Sequence, residues 1–363
     1  MNIIGFDMKR PTIITGLDIG SSKISAVLAE IDGQGSLTIL GQVTQASKGV
    51  SRGALLDLKE AVYCVSSVLK KLQDKTSRKP GDIYVNISGE TVKGDRARGM
   101  IPLSLRGREV NKVDINRCIN VASTIHVPFD REIIHKIVHN FSVDDKHWVK
   151  NPLGLFASRL SCEVYVITTG INHIQNIYKC VDNAGYDIKE IVFTGMADGA
   201  GVLDKDQKDK GVMLLDMGAS LTELSIFSEG SLRDLCTIPI GAEDIKGDFK
   251  DNAAFNGMLS QIHSKAEDFL KSGGKINSAI LTGGFALTDS LAEFLEEKLS
   301  YPVKVGVVKD IRGDISSFDS IRLTTAIGLA KYALAKHEKM VREYKNLAQR
   351  ISNTVVDIFN NYF

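Results

Sequence analysis

The sequence predicts an α/β protein of two lobes, with an α+β subdomain inserted in the first lobe. Two stretches about 200 residues apart, beginning at Ile13 and Val212, share one plan of buried strand, Asp-x-Gly turn, second strand and third strand. Recurrence of a unit at such a distance indicates an internal duplication. Between the two copies, residues 85–165 mix helical and strand patterns and match neither copy. A chain of 363 residues is long enough for this organisation.

Composition and charge exclude several classes of protein. The net charge of +1 argues against a general nucleic-acid-binding protein, which would carry a clear basic excess. The five cysteines are scattered and odd in number, a pattern typical of reduced thiols in a cytoplasm. The N-terminal stretch lacks the pattern of a signal peptide, and no run of about 18 apolar residues predicts a bilayer-spanning helix.

The first copy begins with "IITGLDIGSSKISAVLAEI". Apolar runs on either side of Gly20-Ser21-Ser22 predict two strands joined by a tight turn, and "LTILGQVTQA" predicts a third strand. Apolar residues then recur at helical spacing through "DLKEAVYCVSSVLKKLQ", so this segment is predicted as a helix with Asp57 as its N-cap. "DIYVNISG" predicts a return to the sheet.

The second copy, "GVMLLDMGASLTELSIFSEGSLRDLCTIPIG", repeats the three strands, with a tight turn at Glu229-Gly230. It is followed by "SAILTGGFALTDSLAEFLEEKL", which predicts a buried strand, a double-glycine turn and an amphipathic helix. "YPVKVGVV" predicts one more strand, and "FDSIRLTTAIGLAKYALA" predicts one more helix.

The two Asp-x-Gly turns and the "TGG" turn together predict a nucleotide site. Glycine permits tight turns whose N–H groups face phosphate oxygens, nearby hydroxyls add donors, and a carboxylate at a strand end can hold Mg²⁺ through water. One such turn alone is usually a plain hairpin, but three in this order are a stronger signal. The predicted nucleotide-binding residues are Asp18, Gly20, Ser21, Ser22, Lys23, Asp216, Gly218, Ala219, Ser220, Thr222, Gly283, Gly284 and Phe285.

Some of these residues leave alternatives open. Lys23 could reach a phosphate or lie exposed on its hairpin, and Phe285 could stack on a base or fill the base's place. For hydrolysis, Glu223 or Asp216 could position a water molecule. No local pattern predicts a covalent catalytic residue.

The stretch between the copies contains a predicted helix, "INRCINVAST", and a predicted strand, "RLSCEVYVITT". Its central part, "REIIHKIVHNFSVDD", fits either a helix or a strand. There His135 and His139 could face one way on a helix, but a metal pair needs a third ligand, for which Asp144 or Asp145 is only nominally available. We therefore predict a structural or surface role for both histidines, and no metal site.

These motifs resemble those of the FtsA family, the bacterial actin homologues that tether the cell-division ring to the membrane. "GLDIGSSKISAVLAE" is similar to the family's first phosphate loop. The more specific similarity lies in the stretch from Val127 to Thr168, with its Pro-x-Asp-Arg-Glu block at 128–132, its Asn-Pro-Leu-Gly turn at 151–154 and its Arg-Leu-x-x-Glu strand at 159–163. "SGETVKG" and "NAGYDIKEIVFTGMADGAGVL" also resemble the family, so the similarity covers residues 13–335.

The resemblance implies an actin-like fold, that is, a ribonuclease H-like unit duplicated into two lobes, with an FtsA-type inserted subdomain. By resemblance, the insertion serves contacts between protomers and with later division proteins. The implied division of the chain is 12–84 for the first part of the first lobe, 85–165 for the insertion, 166–204 for the return to the first lobe, 205–241 for the second lobe with its phosphate loop, 242–275 for a shortened outer subdomain, 276–337 for the rest of the second lobe, and 338–363 for a C-terminal amphipathic helix.

The sequence departs from the family pattern at the nucleotide site. The second loop usually reads Asp-x-Gly-Gly-Gly-Thr-Thr-Asp, whereas here Ala219 and Ser220 replace glycines and Leu221 replaces a threonine. Phe285 stands at the third glycine of the "TGG" motif. A Cβ costs little at a negative φ but about 1–2 kcal/mol at a positive one. We therefore expect ATP and Mg²⁺ to bind weakly or not at all, with little or no turnover.

The second lobe is also shorter than the resemblance implies. About 35 residues separate Gly241 from Ile276, and they contain one predicted helix, "GMLSQIHSKAEDFLKSG". The family carries there an outer subdomain with an adenosine-contacting helix, which also docks the tail of the tubulin homologue FtsZ. Both nucleotide affinity and FtsZ binding are therefore in doubt.

The chain ends in "MVREYKNLAQRISNTVVDIFNNYF", whose apolar residues fall on one stripe of a helix. A wide apolar face with terminal aromatics suits an interfacial membrane anchor, and FtsA proteins end in a similar helix. The polar face has few Lys or Arg, which weakens attraction to anionic lipids; a helix packed on the second lobe or a coiled coil are the alternatives. The predicted anchor residues are Leu347, Ile351, Val355, Ile358, Phe359, Tyr362 and Phe363.

Three hypotheses follow. The first is an FtsA-like scaffold that self-assembles on the cytoplasmic face of the cell membrane at the division site and recruits division proteins. The second is a competent ATPase that polymerises and tethers FtsZ. The third is a platform for another envelope machine, similar to the PilM proteins of type IV pilus assembly, and the "PFDREI…NPLG" run disfavours it. None of the three involves nucleic acid.

Overall fold

The computed structural model describes residues 11–124, 127–313 and 315–342. The strands are β1 (Thr12–Ile19), β2 (Lys23–Ile31), β3 (Leu37–Ala46), β4 (Val50–Ser51), β5 (Ala54–Leu55), β6 (Asp82–Ile87), β7 (Lys93–Pro102), β8 (Arg108–Glu109), β9 (Arg131–Val143), β10 (His147–Val149), β11 (Phe156–Ala157), β12 (Arg159–Gly170), β13 (Ile188–Phe193), β14 (Val212–Met217), β15 (Thr222–Ser228), β16 (Ser231–Ile238), β17 (Ser278–Thr282) and β18 (Val303–Val305).

The helices lie between groups of these strands and after the last strand. They are α1 (Leu58–Thr76), α2 (Lys112–Thr124), α3 (Ile171–Asn183), α4 (Thr194–Val202), α5 (Lys205–Lys210), α6 (Ala253–Lys271), α7 (Leu291–Leu299), α8 (Ser317–Arg322) and α9 (324–342). Short 3₁₀ turns lie at Ala242–Asp244, Phe249–Asp251 and Gly284–Leu287. In the described part of the chain, no helix is both long and apolar enough to cross a membrane.

The two lobes are built on sheets of the same topology. The first sheet has the order β13-β6-β1-β2-β3 and the second has the order β18-β17-β14-β15-β16. In the first sheet, β1 pairs antiparallel with β2 and parallel with β6, the strand that follows α1. In the second sheet, β14 pairs antiparallel with β15 and parallel with β17, the strand that follows α6. The internal duplication predicted from the sequence is therefore confirmed strand by strand.

Helix α1 shows how the sequence sets these elements. The Asp57 carboxylate accepts hydrogen bonds from the N–H groups of Lys59 (2.9 Å) and Glu60 (3.1 Å), which satisfies two donors that the first helical turn leaves without partners. The face of α1 that carries Val65, Val68 and its other apolar residues is buried against β2 and β3. The N-cap predicted from the sequence lies at the helix start.

The inserted subdomain lies between β6 and α3 and has its own sheet, in the order β10-β9-β12-β7. The ambiguous segment is strand β9, so His135 and His139 lie on a strand. Helix α2 covers one face of the sheet, and Cys118 and Ala122 of α2 join a separate small core there. Gly99 of β7 must be glycine because a Cβ would lie 2.5 Å from the N atom of Ala122.

The segment expected to form an outer subdomain of the second lobe does not form a separate layer. Helix α6 buries Phe255, Met258 and Ile262 in the core of the second lobe, and Phe249 of the preceding turn joins the same cluster. The residues between Gly241 and Ile276 therefore belong to the lobe itself.

Helix α9 packs against the first lobe, whereas the division of the chain expected from the sequence assigns residues 276–337 to the second lobe. An ideal Cβ on Gly16 of β1 would lie 2.0 Å from the carbonyl O of Ala326, and Tyr332 and Lys336 both bind the carboxylate of Glu190. Helical spacing predicts a buried face, but it does not tell which lobe covers that face. The predicted membrane-anchor residues lie outside the described residues.

Candidate functional site

The two Asp-x-Gly turns face each other across a cleft between the lobes. They form the same closed turn: the N–H of Gly20 donates to the O of Lys23 (3.0 Å), and the N–H of Gly218 donates to the O of Leu221 (2.9 Å). We call residues 20–23 the first loop and residues 218–221 the second loop. Because the turns match, Ser220 stands where the first loop has Ser22, and Leu221 stands where the first loop has Lys23.

The second loop keeps its shape without its glycines. Neither Ala219 nor Ser220 has a positive φ, so the added Cβ atoms cause no backbone strain. The N–H groups of Ala242 and Glu243 donate to the O atoms of Gly218 (3.0 Å) and Ala219 (2.8 Å). The loop is therefore held from outside by the residues that follow β16.

A hydrogen bond joins the two loops directly. The hydroxyl of Ser220 donates to Oγ of Ser21 over 2.7 Å and accepts the N–H of Arg52 over 3.1 Å. The guanidinium of Arg52 lies 3.6 Å from the carboxylate of Asp244, so a second link spans the same gap. These contacts join the first and second loops across the cleft, where the sequence predicts that phosphates bind.

The third motif forms the other wall of the cleft. Gly283 has a φ of +84°, and a Cβ there would lie 2.4 Å from Oδ1 of Asp216, so glycine is required. Gly284 is open, with no atom within 4 Å of an ideal Cβ. The ring of Phe285 meets those of Phe249 and Phe255 edge-on, with centroids 6.4 and 6.3 Å apart, and it also lines the cleft. Phe285 is thus held by an aromatic cluster, with one side towards the cleft.

The structure brings together all but one of the residues predicted to bind nucleotide. The cleft, of about 280 Å³, is at the lower limit of ligand pockets, which are typically about 300–1,000 Å³. Thr222 does not line the cleft, because its side chain is fully buried and its hydroxyl donates to the O of Ile240 (2.8 Å). Alternation along strand β15 turns Thr222 away from the cleft and Glu223 towards it.

Several cleft residues were missed by the sequence motifs. They are Asn86, Ser88, Thr194, Ile321, Arg322, Thr324 and Thr325. The duplication points to one of them, Asn86. In the second sheet, Thr282 of β17 pairs with Asp216 of β14. In the first sheet, Asn86 of β6 has the corresponding place next to Asp18 of β1, one residue beyond the last pair, Leu17 and Val85. The Oδ1 atom of Asn86 accepts the N–H of Ile19 over 2.7 Å.

Carboxyl groups dominate the charge of the cleft. Burial raises the pKa of Asp18 to about 6, partly offset by Lys23, and it raises the pKa of Asp216 to about 6, with Asp18 adding to the effect. The pKa values of Asp198 and Glu223 are raised well above the usual range, also mainly by burial. Burial lowers the pKa of Lys23, whose ammonium group donates to the O of Arg322. At a pH above about 6 the buried carboxyl groups of Asp18 and Asp216 are mostly ionised, and free phosphate groups in the cleft would meet their repulsion.

These residues fit a magnesium-complexed phosphate better than a free one. Both carboxyl oxygens of Glu223 are buried without a hydrogen bond that meets ordinary distance and angle limits, although the N–H of Gly89 and the hydroxyl of Thr194 lower its pKa in part. A bound cation would favour the ionised form of Glu223 and would give its carboxyl oxygens the partner that they lack. Within residues 11–124, 127–313 and 315–342, no group of three acidic, histidine or cysteine side chains is placed to hold a metal ion. Mg²⁺ here would depend on water and phosphate for most of its ligands.

His135 and His139 lie outside the cleft. Four residues apart on β9, they point to the same face of the strand, and both are buried. The N–H of Phe193 donates to Nε2 of His135 (2.9 Å), and Nε2 of His139 donates to the O of Leu232 (3.0 Å). Burial is the main cause that lowers the pKa of each to about 4, so both rings are neutral near pH 7.

Comparison with solved structures shows the same fold elsewhere. The chain in the PilM-PilN type IV pilus biogenesis complex matches 88% of this chain and 98% of its own length, with a TM-score of 0.63 at 13% identity. Such low identity shows the fold alone. Together with the two sheets of identical order, it shows that this is an actin-like, duplicated two-lobed fold.

Comparison of sequences is more specific. The family model described as the SHS2 domain inserted in FtsA matches residues 89–168, which is the inserted subdomain. Cell division protein FtsA of Borreliella burgdorferi is 30% identical, over 90% of this chain and 91% of that protein. Cell division protein FtsA of Pseudomonas aeruginosa is 27% identical, over 89% of this chain and 90% of that protein. With its duplicated lobes, its inserted subdomain and this extent of similarity, the chain belongs to the FtsA family.

Proposed function

We propose that this protein acts in cell division as an actin-like scaffold that self-assembles on the membrane and recruits other division proteins. The support is similarity to proteins named cell division protein FtsA, which extends over about nine-tenths of their length and includes the inserted subdomain. The scaffold works at the cytoplasmic face of the cell membrane at the division site. Nucleotide is at most a weak structural ligand.

The observation that supports weak nucleotide binding is the direct hydrogen bond between Ser220 and Ser21. Phosphates that enter between the loops must break this bond and must also face the buried carboxylates of Asp18 and Asp216. The leucine at position 221 offers no hydrogen-bond donor from its side chain, whereas the first loop has Lys23 there. We therefore propose that ATP binds only as its magnesium complex, and weakly.

Calorimetric titration tests this proposal. ATP with Mg²⁺ should bind with a Kd of about 1 mM or weaker, and ATP with a chelator should give no heat. At a ligand concentration equal to Kd the added stability is only about 0.4 kcal/mol, so thermal shifts should be small. Asp216→Asn should remove the magnesium-dependent heat, whereas the matched control Thr222→Val, outside the cleft, should not. Micromolar affinity for ATP would contradict the proposal.

Self-assembly should not depend on nucleotide. Sedimentation and electron microscopy of the purified full chain should show the same assemblies with ATP·Mg²⁺, with ADP·Mg²⁺ and with no nucleotide, because the weak site is mostly empty in all three. Assembly that appears only with ATP and decays as phosphate is released would instead support the competent ATPase.

Membrane attachment is proposed to depend on the C-terminal stretch that contains Leu347, Ile351 and Phe359, which lies outside the described residues. Full-length chain should co-sediment with liposomes of mixed neutral and anionic lipid. A chain cut before Val341 should stay in the supernatant, because the apolar stripe that would enter the interface is missing. Equal sedimentation of the two chains would reject the anchor.

We further propose that the second lobe does not dock the tail of FtsZ. Helix α6, which occupies the shortened region, buries its apolar face in the lobe's own core. A synthetic peptide of the FtsZ C-terminal tail should therefore give no change in fluorescence anisotropy up to millimolar protein. Saturable binding that is lost on substitution of exposed α6 residues, such as Glu267→Lys, would show docking at this helix.

A further inference from the structure

The inserted subdomain touches both lobes through polar side chains on its strands β7, β9 and β12. Strand β9 runs for thirteen residues from Arg131 to Val143, beside β12 along its whole length. Its inward-facing histidines reach the first lobe at one point and the second lobe at another. The insertion therefore bridges the lobes at a place separate from the cleft.

The contact with the second lobe is a partly buried polar cluster around Tyr165. The hydroxyl of Tyr165 on β12 donates to Oδ1 of Asp234 on β16 over 3.2 Å, and the ammonium of Lys265 on α6 lies 2.8 Å from the same oxygen. The ring of His139 stacks on that of Tyr165, with centroids 6.1 Å apart, while its Nε2 donates to the O of Leu232. Tyr165 is only 1% exposed.

This cluster is costly to pull apart. An ideal Cβ on Gly94 of the neighbouring strand would lie 2.1 Å from Oη of Tyr165, so the backbone of β7 closes directly over the hydroxyl. Separation of the lobes would leave the Tyr165 hydroxyl, Nε2 of His139 and the Leu232 carbonyl to find new partners. Asp234 and Lys265 both belong to the second lobe and would keep each other. Burial raises the pKa of Tyr165 well above its usual range, so the hydroxyl stays a donor.

The contact with the first lobe lies on the same strand. The N–H of Phe193, the last residue of β13, donates to Nε2 of His135, and the His135 ring packs edge-on against Tyr332 of α9, with centroids 5.9 Å apart. Arg131, at the start of β9, donates to the O of Thr168 and the O of Thr91 at 2.9 and 2.7 Å. One continuous strand is thus tied to the first lobe by His135 and to the second lobe by His139.

We propose that the insertion is a strut that fixes the angle between the lobes. Actin-like cleft closure needs the lobes to rotate, and rotation would slide β16 past β9 and β12 and break the buried cluster around Tyr165. The strut therefore holds one interlobe angle whether or not the cleft contains a ligand. This inference stands apart from the proposed cellular role, since it concerns only the relation between the lobes.

Interlobe distances measured by electron–electron double resonance test the strut. Spin labels at Lys70→Cys on α1 and Glu297→Cys on α7 report on the two lobes, in a Cys236→Ser background whose remaining cysteines are buried. The otherwise unmodified chain should give one narrow distance distribution, unchanged by millimolar ATP·Mg²⁺. Tyr165→Phe combined with His139→Phe removes the hydrogen bonds from β12 and β9 to the second lobe and keeps two aromatic rings there. The longer hydrogen bond from Arg96 of β7 to Ser272, at 3.5 Å, stays in place.

A matched control is Tyr332→Phe, which also removes one hydrogen bond from a tyrosine to a carboxylate, Tyr332–Glu190 at 3.1 Å, but outside the contact with the second lobe. The strut variant should show a second distance population, with the fraction of altered molecules raised roughly ten- to a hundredfold, whereas the control should keep one. If the double variant fails to fold, Tyr165→Phe alone should give a rise of roughly two- to tenfold. A distribution in the strut variant equal to that of the control, or a distance in the unmodified chain that shifts with ATP·Mg²⁺, would overturn the proposal.

Discussion

Replacement of Gly283 by alanine should destabilise the protein strongly, because this glycine is both left-handed and tightly enclosed. Its φ is +84°, where a residue with a Cβ loses about 1–2 kcal/mol. The new Cβ would also lie 2.5 Å from the O of Met217, which is backbone and cannot rotate away. Such overpacking costs about 1–3 kcal/mol more. We expect a loss of about 2–5 kcal/mol in the free energy of unfolding.

The adjacent glycine gives the control. Gly284 has no positive φ and no atom within 4 Å of an ideal Cβ, so Gly284→Ala should change the free energy of unfolding by less than about 0.5 kcal/mol. Urea unfolding of both variants, followed by circular dichroism, measures the difference as a shift in midpoint. Equal stability of the two variants would show that the turn can relax, and that enclosure of Gly283 by the second lobe's first strand does not matter.

Three more predictions rest on single side chains. The pKa of Asp18 is raised to about 6 in the folded chain, so its contribution to stability is fully present below about pH 4 and is lost as the pH rises through 6. Asp18→Asn should therefore raise the free energy of unfolding by about 1–3 kcal/mol at pH 7.5 and by much less at pH 4. Urea unfolding at both pH values measures the difference. Asp57→Ala should cost about 1 kcal/mol by loss of the N-cap of α1, and Asp57→Asn should restore most of it in the same assay. Thr222→Val should cost about 1–2 kcal/mol, because the O of Ile240 loses its donor, and should leave calorimetric nucleotide binding unchanged.

Much of the fold follows from local patterns in the sequence. The strand runs before Asp18 and Asp216 and the spacing of the turns predict the two sheets, and their identical strand order confirms the duplication. The ambiguity at His135 and His139 has a simple cause. A spacing of four residues is close to one helical turn and is also two full strand periods, so it places two residues on one face in either structure. Only the pairing with β12 decides for the strand.

The candidate site was predictable where glycine marks it and not elsewhere. The glycines at positions 20, 218 and 283 predict the three turns, and all three turns line the cleft in the structure. Thr194 lies in no local motif, because it reaches the cleft at the end of strand β13 and not through a glycine turn. Asn86, on β6, can be found only by comparison of the two duplicated sheets. The sequence predicts Thr222 as a hydroxyl donor to the nucleotide, but alternation along β15 directs its hydroxyl into the core, where it donates to the O of Ile240.

The way the second loop is held has a consequence for how such a site can change over evolutionary time. Its carbonyl groups at Gly218 and Ala219 are bound by N–H groups of the segment after β16, and Gly241 leaves room for the loop's backbone against it. Main-chain hydrogen bonds therefore fix the shape of the second loop, and side-chain substitutions do not remove these bonds. Substitutions in residues 219–221 can therefore leave the main-chain geometry of the turn unchanged, so the loop can lose affinity for its ligand while the turn keeps its form.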